Sequence, residues 1–290
     1  MAETWRVIAR EERDELGEGP LWSAKHNAIF WVDILSHFLY RYSLADATVR
    51  RWSLPERIGW VVERRNRPGF IAGLQSGFYE LDLEPFALRQ IVDPEPHYPG
   101  NRLNDAKVDR HGRLWAGTMD AAIVEATGSL YCLRPDMSVR RVDEGYKVTN
   151  GPAFSLGQEF MYHTDSGRGT VYRFDLSPEG ELSNKQEWLK FSADMGSPDG
   201  MTVDAEGYVW IAHWGGSRIS RWSPDAKLER EIRLPAPQIT SITFAGAALE
   251  RMFVTSAAKG LDRGKETFAG ALFEVDAGGV RGVLPGLFAG

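Results

Sequence analysis

Apolar positions along the chain fall in short alternating runs divided by turns, and the pattern occurs six times. Each instance opens on a turn containing Gly, Asn or Asp and continues as a hydrophobic strand ending in a small or polar residue. The instances are Lys25–Asp33, Asn66–Leu74, Asp109–Thr118, Leu156–Asp165, Asp204–His213 and Ala247–Thr255. With Asp33, Gly73, Thr118, Asp165, His213 and Thr255 as equivalent strand ends, the separations are 40, 45, 47, 48 and 42 residues. That is the length of a propeller blade. A second strand follows each, centred on Tyr40-Arg-Tyr42, Tyr79-Glu-Leu81, Tyr131-Cys-Leu133, Tyr172-Arg-Phe174, Ser220-Arg-Trp222 and Phe273-Glu-Val275. Further strands are readable at Val49–Leu54, Leu88–Val92, Val139–Val142, Gln186–Phe191 and Leu228–Leu234, which makes about four strands per repeat. No helix of useful length is predicted. The pattern predicts an all-β, six-bladed β-propeller forming one domain over residues 1–290. Pairing of Arg6–Ala9 with Gly279–Leu284 is expected to close the ring and remove two exposed sheet edges.

Composition narrows the partners. The 290 residues are 43% hydrophobic, with 30 Gly and 15 Pro spread along the chain, as many short strands joined by turns require. The net charge is -6, and no run of Lys or Arg exceeds two, which argues against nucleic acid or an anionic membrane as a partner. A small neutral or weakly polar molecule fits better. The one cysteine, Cys132, lies in a strand-like run and reads as a packed thiol. The polar opening Met-Ala-Glu-Thr-Trp-Arg and the absence of a long apolar run predict a cytoplasmic protein.

Counting back 14 or 15 residues from each strand end gives Glu18, Gly59, Asn104, Asn150, Asp199 and Ser241. Equivalent positions in a propeller lie on one circle round its axis. Four of the six are carboxylates or carboxamides, residues normally kept out of strands, and they sit in the contexts Gly-Glu-Gly-Pro, Leu-Asn-Asp, Asn-Gly-Pro and Pro-Asp-Gly. Two acids and two amides facing one point repel and lose hydration unless a cation compensates them. A metal site on the central axis is therefore expected. Oxygen donors suit Ca²⁺, Mg²⁺, Mn²⁺, Zn²⁺ or Fe²⁺, and without clustered Cys or paired His a closed structural zinc site is disfavoured.

At these residues the chain resembles the gluconolactonase and regucalcin (SMP-30) family. The segments that carry the likeness are Leu16-Gly-Glu-Gly-Pro-Leu-Trp22, Asn101–Asp109, Gly112–Met119, Thr149-Asn-Gly-Pro152, Pro198–Gly207 and Phe288-Ala-Gly290. The resemblance implies a six-bladed propeller that hydrolyses sugar lactones with one divalent metal. It implies Glu18, Asn150 and Asp199 as metal ligands, with Arg102 and Asn104 contacting the substrate. Members of animal origin carry an acid shortly after the Gly-Thr-Met segment; here Ala122 stands at that place, and Asp120 is the candidate to substitute for it.

For an aldonolactone substrate, the metal would polarise the carbonyl and Asp199 would add a general-base role to its ligand role. Arg102 stays protonated and offers a fork of donors to hydroxyls, while Gly59 and Ser241 read as space for the sugar. His163 and His213 are expected to be packed, hydrogen-bonded imidazoles, Trp60 a core residue, and the loop 259–268 a rim or a plain connection. A calcium-binding regulatory protein and a metal-dependent phosphotriesterase are the competing readings.

Overall fold

The computed structural model describes residues 4–290; the polar opening Met1 to Glu3 lies outside them. The fold is all-β and propeller-like: the described residues form 24 strands and two three-residue 3-10 turns, Ser166–Arg168 and Ala193–Met195. No helix among them is long and apolar enough to cross a membrane.

Four separate four-stranded sheets follow one another along the chain, each with its strands in sequence order. They open with the strands Gly17–Ser23, Ile58–Glu63, Asn101–Val108 and Thr149–Phe154. The remaining strands belong to one eight-stranded sheet. Six separate sheets are thus not what the hydrogen bonding gives. The cause is local, since Trp214, ending the strand Val209–Trp214, pairs with Gln238, opening the strand Gln238–Ala245, and that single pair joins two groups of strands.

Burial grades across each sheet. The opening strand Gly17–Ser23 and its neighbour Ala28–Asp33 are buried at every position, whereas the fourth strand, Val49–Ser53, is half-buried or exposed throughout. Inner strands are covered on both faces and lose the polar alternation that marks a solvated sheet. Large aromatics such as Trp31, Trp60, Trp115 and Trp210 fill the layers between sheets. Buried carboxylates brace those layers. Asp109 accepts from Trp115 Nε1 at 3.0 Å and from Arg113 Nε at 2.6 Å, and Asp204 accepts from Trp210 Nε1 at 2.8 Å and from Arg221 Nε at 2.7 Å.

The ring closes differently from the sequence expectation. Trp5–Val7 pairs antiparallel with Phe273–Val275, with Trp5 opposite Val275 and Val7 opposite Phe273. Phe273 and Val275 point into the core while Glu274 between them meets Arg6 and Arg251, so this segment has the alternation of an outer strand. The run 279–284 lacks it, and Val283 and Leu284 are exposed. Instead the last residues cross the ring. Arg281 O accepts from Ala205 N, Gly282 N donates to Leu249 O, Phe288 exchanges backbone bonds with Glu63 and Arg65, and Ala289 N donates to Gly112 O. Phe288 is wholly buried in the cluster containing Trp60, Leu103 and Leu114.

Candidate active site

The opening strand of each four-stranded sheet, and the strands Ser197–Val203 and Gln238–Ala245 of the eight-stranded sheet, carry a register shift at the equivalent place. The shifts lie between Glu18 and Leu21, Ile58 and Trp60, Leu103 and Ala106, Asn150 and Ala153, Pro198 and Met201, and Ile239 and Ser241. A bulge sets two residues against one and re-aims the side chains around it. It also explains Pro20 and Pro152 within strands, because a bulge frees the strand from the ladder bond that proline cannot make. Gly19 and Gly151 supply the left-handed backbone, with φ of 55° and 78°.

The bulges aim one set of side chains into one cavity of about 210 Å³, whose floor is Glu18, Arg102, Asn104, Asn150 and Asp199, all buried. The strand ends used as sequence anchors hold this floor in place. Asp33 accepts from Glu15 N at 2.8 Å and Leu16 N at 3.0 Å, and Asp165 accepts from Lys147 N at 3.1 Å and Val148 N at 3.2 Å. His213 fills the corresponding place in its own strand pair, with Nδ1 2.8 Å from Met195 O. In all three cases the clamp grips backbone just ahead of a floor residue.

A relay of bonds orients the amides. Arg102 donates to Asn104 Oδ1 at 2.6 Å, Asn104 Nδ2 donates to Asn150 Oδ1 at 3.1 Å and to Thr149 O at 2.5 Å, and Asn150 Nδ2 donates to Ser166 Oγ at 2.9 Å. Asn104 therefore spends its hydrogen bonds on Arg102 and Asn150. Asn150 keeps a free lone pair on Oδ1.

The carboxylates are under charge stress. Burial, then the neighbouring Asp105, pushes Glu18 up to about 8. Burial, then Glu18 and Asp105, raises Asp199 well above the carboxylate range. Burial, then Arg57, pulls Arg102 down to about 10. Asp199 Oδ1 is buried with no hydrogen-bond partner. These are marks of a donor set fitted to a cation: two crowded carboxylates, one orphaned oxygen and a carboxamide oxygen aimed at the same cavity. Among the described residues no group of three or more His, Cys, Asp or Glu is placed to hold a metal. A cation here would rest on Glu18, Asp199 and Asn150.

Asp105 is a neighbour that the offset did not single out, because the count picks one residue per repeat. Its carboxylate accepts from Ala106 N at 2.7 Å and Gly151 N at 2.8 Å, which ties the Asn104 bulge to the Asn150 bulge. Asp120 is not brought to the floor. Its carboxylate accepts from the backbone of Ala122, Val124 and Glu125 at the surface. Gly59 and Ser241 do not line the cavity; a Cβ at Gly59 would meet the Leu103 and Asn104 carbonyls at 2.8 Å, and Ser241 packs on Gly200. His213 is packed and bonded as expected, with Nε2 2.6 Å from Ser220 Oγ. His163 is packed against Tyr146, but both its ring nitrogens lack partners. From the loop 259–268, Lys259 reaches the rim.

Residues 16–258, the span that contains every floor residue, match the family described as SMP-30/Gluconolactonase/LRE-like region. The chain belongs to this family. Within it, regucalcin of Xenopus laevis is 33% identical over 289 residues, covering 96% of each chain. The 6-deoxy-6-sulfogluconolactonase of Pseudomonas putida is 33% identical over 257 residues, covering 88% of each. Among solved structures, the calcium-binding protein regucalcin of Agrobacterium tumefaciens superposes with a TM-score of 0.92 at 26% identity, over 98% of this chain and 96% of the other.

Proposed function

We propose that the protein is a lactonase that hydrolyses a sugar aldonolactone to the open acid, with one divalent cation held by Glu18, Asn150 and Asp199. The observation that carries the proposal is the unpartnered Asp199 Oδ1 beside a second buried carboxylate, at the floor of a cavity of sugar size. The gluconolactonase-type relative supports it, and the description of a relative as calcium-binding supports a divalent ion. When bound, such an ion supplies Lewis acidity at the lactone carbonyl and cancels the repulsion between the two carboxylates. Asp199, kept ionised by that compensation and holding the ion through one carboxylate oxygen, would accept the proton of the attacking water through the other. Arg102 presents its donors to ring and exocyclic oxygens, held at the required angle by Asn104. Asn150 is locked by Asn104 and Ser166, so its carbonyl oxygen stays directed at the cavity.

We also read the eight-stranded sheet as two blades, which makes the propeller six-bladed. The reading is supported by the sheet's single-pair junction at Trp214 and Gln238, with four strands on either side.

Proton release from a panel of five- and six-membered aldonolactones tests the activity, before chelation, after it, and after each divalent ion is restored. Activity is expected to vanish on chelation and return with at least one ion. Asp199→Asn is expected to lower kcat by about 100-fold or more, the usual worth of a general base. Full activity after chelation, or wild-type turnover in the Asn variant, overturns the mechanism. Tight Ca²⁺ binding with no lactone turned over favours a calcium-binding role instead.

A further inference from the structure

Beside its polar floor the cavity has an apolar part of its wall, a collar formed by Leu16, Met119, Ile123, Val148 and Trp214, of which Ile123 is the most exposed. Ile123 is its strained member. Its φ is 60°, in the left-handed region that a β-branched residue almost never occupies. Core packing does not account for it, because Ile123 is 38% exposed. The loop that carries it is over-determined: Ala122, Val124 and Glu125 donate to the Asp120 carboxylate at 3.0, 2.9 and 3.0 Å, and Ile123 N donates to Asp120 O at 2.9 Å. Strain that is locked in this way and turned toward a cavity is a mark of a functional position. The same clamp occupies the one acid at the start of this loop, so the loop offers the cavity a hydrocarbon side chain.

A hydroxyl pressed against these apolar side chains, away from the Ser166, Ser197 and Lys259 that share the lining, loses its water and gains no partner, whereas a methylene there gains by leaving water. We propose that Ile123 is a specificity-determining residue, and that the preferred substrate is a lactone with an alkyl-bearing or deoxygenated carbon at the mouth. This rests on the lactonase reading of the same site. The chemistry is unchanged: the ring acyl C–O bond breaks, the atoms of one water are added, and no co-reactant is needed.

The test compares kcat/KM for δ-gluconolactone with that for its 6-deoxy analogue, which keeps the ring hydroxyls and carries a methyl group in place of the hydroxymethyl, in the metal-loaded enzyme. The wild type is expected to favour the deoxy lactone. Ile123→Asn, which suits a left-handed backbone, is expected to move the ratio of the two values about tenfold toward gluconolactone. Asp120→Ala, releasing the loop, should move it the same way, and thermal melting of both variants confirms that they are folded. Hydrolysis of gluconolactone alone by the wild type overturns the inference, as does an equal effect of Ile123→Asn on both substrates. A selective loss of gluconolactone turnover in Asp120→Ala also overturns it, because that places the Asp120 carboxylate on the sugar. Hydrolysis of neither lactone with any divalent ion removes the lactonase reading, and this inference with it.

Discussion

At the scale of single residues, charge and burial separate groups that look alike in the sequence. Asp33 ends its strand and Asp199 is the third residue of Ser197–Val203, yet Asp33 is fully hydrogen-bonded to backbone while Asp199 keeps an orphaned oxygen. The first holds structure and the second is available for chemistry. The two buried histidines are on the structural side. Burial pulls His163 down to about 3 and His213 down to about 4, from an ordinary value of 6.5. Both are therefore neutral in the folded protein, and in the unfolded chain they take up protons below pH 6.5. Their contribution to stability is whole above pH 6.5 and is lost as the pH falls toward the folded values. Each should cost about 2 kcal/mol by pH 5. Urea midpoints at pH 7 and pH 5 measure this, and His163→Phe, which replaces an imidazole already without partners, should make the drop shallower. Glu18, Asn104, Asn150 and Asp199 were legible because a constant offset repeated along the chain, whereas Arg102 came only from the family likeness. Ile123 was not legible, since neither its left-handed backbone nor its turn toward the cavity is written in residue type.

At the scale of elements, the strands and their order followed the hydrophobic pattern closely, and the bulges made sense of the glycines and prolines inside the innermost strands. Closure was misplaced. The sequence expectation joined two short β-rich runs, but only Phe273-Glu-Val275 alternates so as to bury two side chains and leave the third for Arg6 and Arg251. Between elements, the buried ion pairs do structural work that their sequence neighbours do not announce. Arg221 and Trp210 both depend on Asp204, with the Arg221 side chain only 3% exposed. Asp204→Ala leaves a buried guanidinium and an indole N–H without their acceptor, and is expected to cost about 3 kcal/mol or more. Denaturant unfolding should show a lower midpoint. An unchanged midpoint would mean that Arg221 finds sufficient compensation in Glu206 and Glu229 alone.

For the whole molecule, the site and the C-terminal tail meet the opening strands of the sheets at different places along their length. Floor residues lie in their first halves, and the crossing tail meets their far ends at Glu63, Val108 and Asp204. A strand of six to eight residues spans roughly 20 Å, so site and tail lie toward opposite ends of these strands. Phe288→Ala empties a fully buried position in the layer between the second and third sheets and is expected to destabilise by about 3 kcal/mol. Lactone turnover per folded molecule should change little, because the floor is held by its own clamps. Thermal melting and kinetics on the same sample separate the two effects, and a loss of kcat at full folding would show that the tail supports the site.

Period, spacing and residue chemistry along the chain were enough for the repeat, the strand class and the four residues Glu18, Asn104, Asn150 and Asp199 that share one cavity. Tertiary structure alone decided which of those residues remain unpaired, since that depends on partners such as Asn104, Asp105 and Ser166 arriving from different sheets. It also decided how the ring closes and where the tail goes, which rest on packing across some 270 residues between Trp5 and Val275. The hydrocarbon collar belongs to the same category: Leu16, Met119, Val148 and Trp214 are ordinary apolar residues in the chain and become one surface only when different sheets bring them to one cavity.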